Sequence, residues 1–149
     1  MTSDDAIDIK EVVFLKAAER AFHAVPEEVK DTFDLLLTAI QNNTAVPRNR
    51  REDLVGGTLG GISELKVDFD SDTYRTYFVA EFAEVVFVLD AGIKKSKTQG
   101  KIPQEQVDVL VERKKQVAAY YKTNKERFER RYQTRQKNRA RRAASEAGK

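Results

Sequence analysis

Three strand-like runs lie within residues 62–91, and they constrain the fold more than any other feature of the chain. In 62–69, Leu65, Val67 and Phe69 alternate with Glu64, Lys66 and Asp68, the two-residue period of a half-buried strand. In 74–82, Tyr74, Thr76 and Phe78 alternate with Arg75 and Tyr77. Residues 84–91 contain the continuous run Val85-Val86-Phe87-Val88-Leu89, which suits a central strand. The connections, Asp70-Ser71-Asp72-Thr73 and the stretch around Phe82-Ala83, are short enough for hairpins. Such a sheet must bury an apolar face against another layer.

The flanking segments supply that layer. Val29, Phe33, Leu36, Leu37 and Ile40 recur at helical spacing and predict a helix over 26–42. Pro26 fits its first position, Glu27 and Glu28 its positive first turn, and Asn42-Asn43 its end. Ala17 to Val25 predicts a shorter helix, so the two form a hairpin behind a short strand at Val12–Leu15. Residues 43–61, with Pro47, Arg48, Arg50, Arg51 and four glycines, read as a long loop, a common place for functional residues. Pro103 opens a third helix, striped by Val107, Leu110, Val111, Val117 and Tyr121. With no Gly or Pro before Gly148, that helix is expected to run on as a basic arm carrying Phe128 and Tyr132. The expected class is α+β: a small antiparallel sheet packed on an N-terminal helical hairpin, with a long basic C-terminal helix.

Composition narrows the chemistry. With no Cys there is neither a disulfide framework nor a Cys-ligated zinc or iron–sulfur site. With one His, only His23 could serve a Ser-His-Asp device. No apolar run approaches the ~20 residues of a membrane span, and the acidic N-terminus is unlike a signal peptide. A cytoplasmic, metal-independent protein without cofactors is expected. The net charge of +3 hides a split: residues 1–111 hold 13 Lys and Arg against 20 Asp and Glu, and residues 112–149 hold 14 against 4, so −7 and +10. The chain divides into a loose acidic 1–9, a domain over 10–121, and a basic helical extension over 122–149. On that extension, Arg127, Arg130, Arg131 and Arg135, together with Arg139, Arg141 and Arg142, either form a solvated face or meet nucleic acid or an acidic partner.

Pairing can be tried from the pattern alone. If 70–73 is the first loop, 66 opposes 77 and 68 opposes 75; if 81 opposes 84, then 75 opposes 90 and 77 opposes 88. One sheet face then carries Glu64, Lys66, Asp68, Arg75, Tyr77 and Asp90, interrupted by Val79, Val86 and Val88. That face reads either as a solvated surface with cross-strand ion pairs or as a site.

Ordered short motifs add to this. Leu54-Val55-Gly56-Gly57, Ile62-Ser63-Glu64-Leu65-Lys66-Val67, Thr73-Tyr74-Arg75-Thr76-Tyr77-Phe78 and Ile93-Lys94-Lys95-Ser96-Lys97 precede a Pro-led charged helix. The set resembles the phage-derived HigB-like branch of the RelE/ParE toxin superfamily, over about residues 10–120. The resemblance implies a type II toxin that cleaves mRNA on the ribosome or free, held in check by a cognate helix-turn-helix antitoxin. Such cleavage uses the ribose 2′-OH as nucleophile and needs a proton removed, a dianionic phosphorane stabilised and a leaving oxygen protonated.

Carried over by position, the resemblance makes Arg75 the phosphate-stabilising strand arginine. Lys66 stands where many members have Arg, keeping the charge without the fork. Lys94 and Lys95 match a Lys-Lys pair, with Lys97 beside them. Lys95 joins the catalytic set, and Lys94, Lys97, Arg48, Arg50 and Arg51 the RNA contacts. Tyr77 could stack on a base or donate a proton; Glu64 is the candidate general base, with Asp90 behind it. Three other readings stay open: a non-catalytic nucleic-acid- or ribosome-binding module using the tail, a ParE-like gyrase inhibitor, and an interaction protein docking an acidic partner.

Overall fold

The computed structural model describes residues 7–93 and 102–148. In chain order these form β1 (Glu11–Phe14), α1 (Lys16–His23), α2 (Glu27–Gln41), β2 (Arg51–Asp53), a 3-10 turn (Gly57–Leu59), β3 (Ser63–Phe69), β4 (Asp72–Val79), β5 (Val85–Ile93) and α3 (Gln104–Ala147). The class is α+β, as expected. Pro26 and Pro103 sit at the N-caps of α2 and α3, one position earlier than anticipated.

The strands are ordered β1-β5-β4-β3-β2. β2, β3, β4 and β5 pair antiparallel, while β1 runs parallel to β5, so the sheet is mixed rather than wholly antiparallel. The hairpin α1–α2 carries the chain away from β1 to the far edge of the sheet, leaving β1 to close the other edge beside β5. The long loop expected over 43–61 contains β2, whose Arg-Glu-Asp sequence has no apolar alternation to reveal it.

Two registers differ from those tried on paper. Between β3 and β4, Phe69 pairs with Asp72 and Lys66 with Arg75, so the turn is Asp70-Ser71 rather than four residues. Both turn residues have positive φ (51° and 70°), as a two-residue turn matched to strand twist requires. The shift of two leaves every side chain on its expected face. Between β4 and β5, Tyr77 pairs with Asp90 but Phe78 with Val88, and the extra residue is Leu89. This bulge moves Val86 and Val88 from the polar face, where an unbroken register places them, to the opposite one.

That opposite face buries Leu65, Val67, Tyr74, Phe78, Val86 and Val88 against Phe22 of α1 and Val29, Phe33, Leu37 and Ile40 of α2. The mostly polar face is not simply solvated. Tyr77, Val79, Val85, Phe87 and Leu89 pack under Leu110, Val117 and Phe128 of α3.

Nor does α3 leave the body as an arm. Asn124 has non-helical backbone (φ −112°, ψ 17°), and its side chain donates to the Tyr120 carbonyl at 2.9 Å, competing with the helical ladder. The 121/122 boundary, set where the apolar stripe thins and the resemblance ends, falls just before this kink. Past it, Phe128 is fully buried among Phe87, Tyr120 and Tyr121. Arg131 lies over the Phe128 ring at 5.2 Å and pairs with Glu11 at 2.9 Å. Arg135 donates to the Asp8 carbonyl, and Arg139 to the Ile7 carbonyl and Asn42 Oδ1.

Candidate functional site

Strand pairing assembles the site. Lys66 on β3 stands directly opposite Arg75 on β4, and Glu64 opposite Tyr77. On the other side, Arg75 faces Gly92 and Tyr77 faces Asp90 of β5. The family-matched cations Arg75 and Lys66 are therefore cross-strand neighbours on one face. Gly92 puts no side chain beside them: a Cβ there would meet nothing within 4 Å.

The carboxylates have other duties. Glu64 is fully buried, and its Oε1 accepts from Arg75 Nη1 at 2.6 Å. A carboxylate out of water is tolerable only when paired in this way. Burial, then the neighbouring charge of Glu64 and a hydrogen bond to it, push the Tyr77 hydroxyl well above the ordinary tyrosine range. The phenol is thus a proton holder and no base. Glu64 and Tyr77, expected from sequence as base and as stacking or donor group, are both buried. Arg75 retains 13% exposure, and its Nε has no hydrogen-bond partner among the described residues. Lys66 is more open and pairs with Glu52 at 3.2 Å.

Asp90 is clamped by α3: Gln106 donates to Oδ2 at 2.9 Å, and Arg113 lies 3.3 Å from Oδ1 while donating to the Leu89 carbonyl at 2.8 Å. Sequence reasoning missed Gln106, Arg113 and Glu52. A signal for the first two existed, because Gln106, Leu110, Arg113 and Val117 follow i, i+4, i+7, i+11 and so share one helix stripe. A further polar latch joins α3 to the β4–β5 connection, where Tyr121 donates to Glu84 at 2.6 Å. Burial first, and then that hydrogen bond, push the Tyr121 hydroxyl up to about 12.

The remaining sequence candidates scatter. Arg51 lies 5.3 Å from the Phe78 ring centre on the hairpin side, away from Lys66 and Arg75. Arg50 gives its carbonyl to the Lys66 amide, and Arg48 is exposed in the preceding turn. Lys94, Lys95 and Lys97 lie outside the described residues. On α3, Arg127 and Arg130 are exposed, whereas Arg131 and Arg135 dock on the body. His23 is exposed at the end of α1. Among the described residues, no group of three or more His, Cys, Asp or Glu could hold a metal, and no helix is long and apolar enough to cross a membrane.

The fold is of the α+β class that the sequence motifs led us to expect, with Lys66 and Arg75 neighbours across its central hairpin. Residues 20–115 match the model of the phage-derived Gp49-like protein family, and the chain belongs to that family, which is related to the toxins of toxin–antitoxin systems. The match begins in α1 and ends inside α3, so the kink and the docked basic segment lie beyond it. Comparison with curated proteins and with solved structures gave no match.

Proposed function

We propose that this protein is the toxin of a type II toxin–antitoxin pair and cleaves mRNA, on the ribosome and without a metal, through attack of the ribose 2′-OH on the adjacent phosphate. The observation that carries this reading is the placement of Lys66 opposite Arg75 beside the gap at Gly92. Two cations on adjacent strands suit a phosphorane whose charge grows as the 2′-oxygen bonds to phosphorus. Lys66 binds the scissile phosphate directly. Arg75, fixed by Glu64, supplies an oriented positive field and donors that need no reorganisation during reaction. Glu64 is a positioning residue in this scheme, not the general base. As its oxygen bonds to phosphorus the 2′-OH gives its proton to a solvent water, and Lys95, matched to the family's lysine pair, is assigned the proton delivered to the leaving 5′-oxygen as its bond to phosphorus breaks. A helix-turn-helix antitoxin is the expected partner, from the toxin-related family.

The test is mapping of message ends in a translating extract with wild-type protein, Lys66→Ala and Arg75→Lys. Wild-type protein should generate new 5′ ends; Arg75→Lys should do so about 10²–10³ times more slowly, the usual cost of losing one transition-state contact, and Lys66→Ala should do so more slowly at sub-saturating message. Intact message with wild-type protein, or equal cleavage by all three folded proteins, rejects the reading. Inhibition of supercoiling with intact message would instead select the gyrase alternative.

A further inference from the structure

The cations of α3 beyond its kink fall into two sets. Arg131, Arg135 and Arg139 face the body and are satisfied there by Glu11, by the carbonyls of Asp8 and Ile7, and by Asn42. At about 100° per residue, Arg130, Lys137 and Arg141 lie within roughly 40° of one another, on the side away from that docked row, with Arg127 at the margin. All four are exposed. Among the described residues, Arg130, Lys137 and Arg141 enter no ion pair.

The kink deepens this outer row at one end. A concavity of about 350 Å³ opens there, lined by Lys122, Lys125, Arg127 and Arg130 with Thr123, Asn124 and Glu126. Beside it, Tyr120 is 43% exposed and meets Arg127 through its hydroxyl at 3.4 Å. Four cations against one acid thus line a concave surface next to an accessible ring.

We propose that this concavity and the outer row of α3 bind the phosphodiester backbone of RNA without reading its sequence. The choice of RNA over DNA rests on the cleavage reading given above; the surface itself does not use Lys66 or Arg75. Charge complementarity carries the argument. Positions 126, 130, 133, 134, 137 and 141 hold Glu, Arg, Gln, Thr, Lys and Arg, with no apolar side chain among them. A protein partner would find no buried anchor on such a row, whereas phosphates need none. Guanidinium forks suit phosphate oxygens, and Tyr120 offers a stacking face that accepts any base. The surface lies outside residues 20–115, so it adds affinity for RNA to the family domain.

The test is fluorescence anisotropy of the full chain with a labelled RNA hairpin, 2′-O-methylated throughout so that it cannot be cleaved, across a salt series. The wild-type chain should bind with a steep log–log salt slope. The variant Arg127→Gln/Arg130→Gln/Lys137→Gln/Arg141→Gln should lose more than tenfold in affinity, and its slope should fall by about 3, from roughly 0.7–0.9 per phosphate contact. Lys16→Gln, which removes an exposed cation of α1 outside both surfaces, should bind within about twofold of wild type. Unchanged affinity and slope in the fourfold variant overturn the proposal. So does preference for an acidic polypeptide over RNA, or binding of the matching DNA hairpin as tight as that of RNA. Salt-dependent RNA binding by a chain that cleaves nothing supports this surface and removes only the cleavage reading.

Discussion

Replacing Arg75 by Met exposes what holds the sheet face together. Glu64 is fully buried with its Oε1 2.6 Å from Arg75 Nη1. Methionine fills much of the arginine stem but brings no charge, so the carboxylate stays inside without its cation. Breaking a buried pair from one side costs about 3–5 kcal/mol. The 13% exposure of Arg75 lets water relieve part of that, so about 3 kcal/mol is expected. Against the ~5–15 kcal/mol that stabilises a domain of this size, the loss is a large fraction. The change Glu64→Gln/Arg75→Met removes both charges and keeps the volume; it should recover to within about 1 kcal/mol of wild type, giving a coupling of about 2 kcal/mol. Urea denaturation followed by far-UV circular dichroism measures all four corners of the cycle, since the chain has no Trp to report on packing. A single-variant loss below about 1 kcal/mol, or additivity of the two changes, would show that Arg75 is not the counter-ion that keeps Glu64 buried.

Other perturbations test separate links. Phe128→Ala removes the buried anchor of the docked half of α3, at about 3–5 kcal/mol for a fully buried Phe. Hydrogen exchange should then speed up over 125–147 while the sheet keeps its protection, and uniform loss across the chain would contradict local undocking. Ser71→Gly should stabilise the β3–β4 hairpin by about 0.5–1 kcal/mol, because φ is 70° there and only glycine adopts it freely; a lower thermal midpoint would refute this. The Ser63 hydroxyl, opposed by partial burial and aided by Arg51, holds the Asp53 carboxyl below the usual range. That contribution is present above the ordinary carboxyl pKa of about 3.9 and is lost as pH falls through the lowered native value. Ser63→Ala should move the Asp53 titration upward by NMR, and an unmoved midpoint would dismiss the hydroxyl as its cause.

Some of this was legible because it depends on periods alone. The stripe at Val29, Phe33, Leu37 and Ile40 specifies α2 without reference to anything distant. Lys66 and Arg75 could be placed on one face because a register error of two residues preserves side-chain parity. The Val85–Leu89 run, by contrast, shows no alternation, so nothing marks the bulge at Leu89 that sends Val86 and Val88 to the hairpin side. β2 has three charged residues and was invisible to hydrophobic pattern. The burial of Tyr77 could not be read from its own strand, because it packs with Leu110 and Val117, some 30–40 positions further along the chain. The tail misled for a similar reason: its docking depends on Phe128 finding Phe87 and on Arg131 finding Glu11, 120 residues away.

These contacts change the meaning of the charge split. Contrast between the −7 body and the +10 end is partly consumed inside the fold, through Arg131 on Glu11 and Arg113 on Asp90. On the sheet face, each cation likewise carries its own carboxylate, Glu52 for Lys66 and Glu64 for Arg75. An arriving phosphate must compete with these, and the two contests are unequal. The Lys66–Glu52 pair is largely solvated, worth about 0–1 kcal/mol, and exchanges readily. The Arg75–Glu64 pair is buried on its acidic side and does not open without leaving a carboxylate stranded. On the proposed reading, Lys66 therefore binds ground state and transition state alike, whereas Arg75 acts as a fixed field felt most when phosphorane charge develops. Lys66→Gln should then raise KM with little change in kcat, and Arg75→Lys should lower kcat with little change in KM, in steady-state cleavage of a defined message. A shared KM effect from both variants would refute that division, since it would mean that both side chains grip the phosphate in the same way.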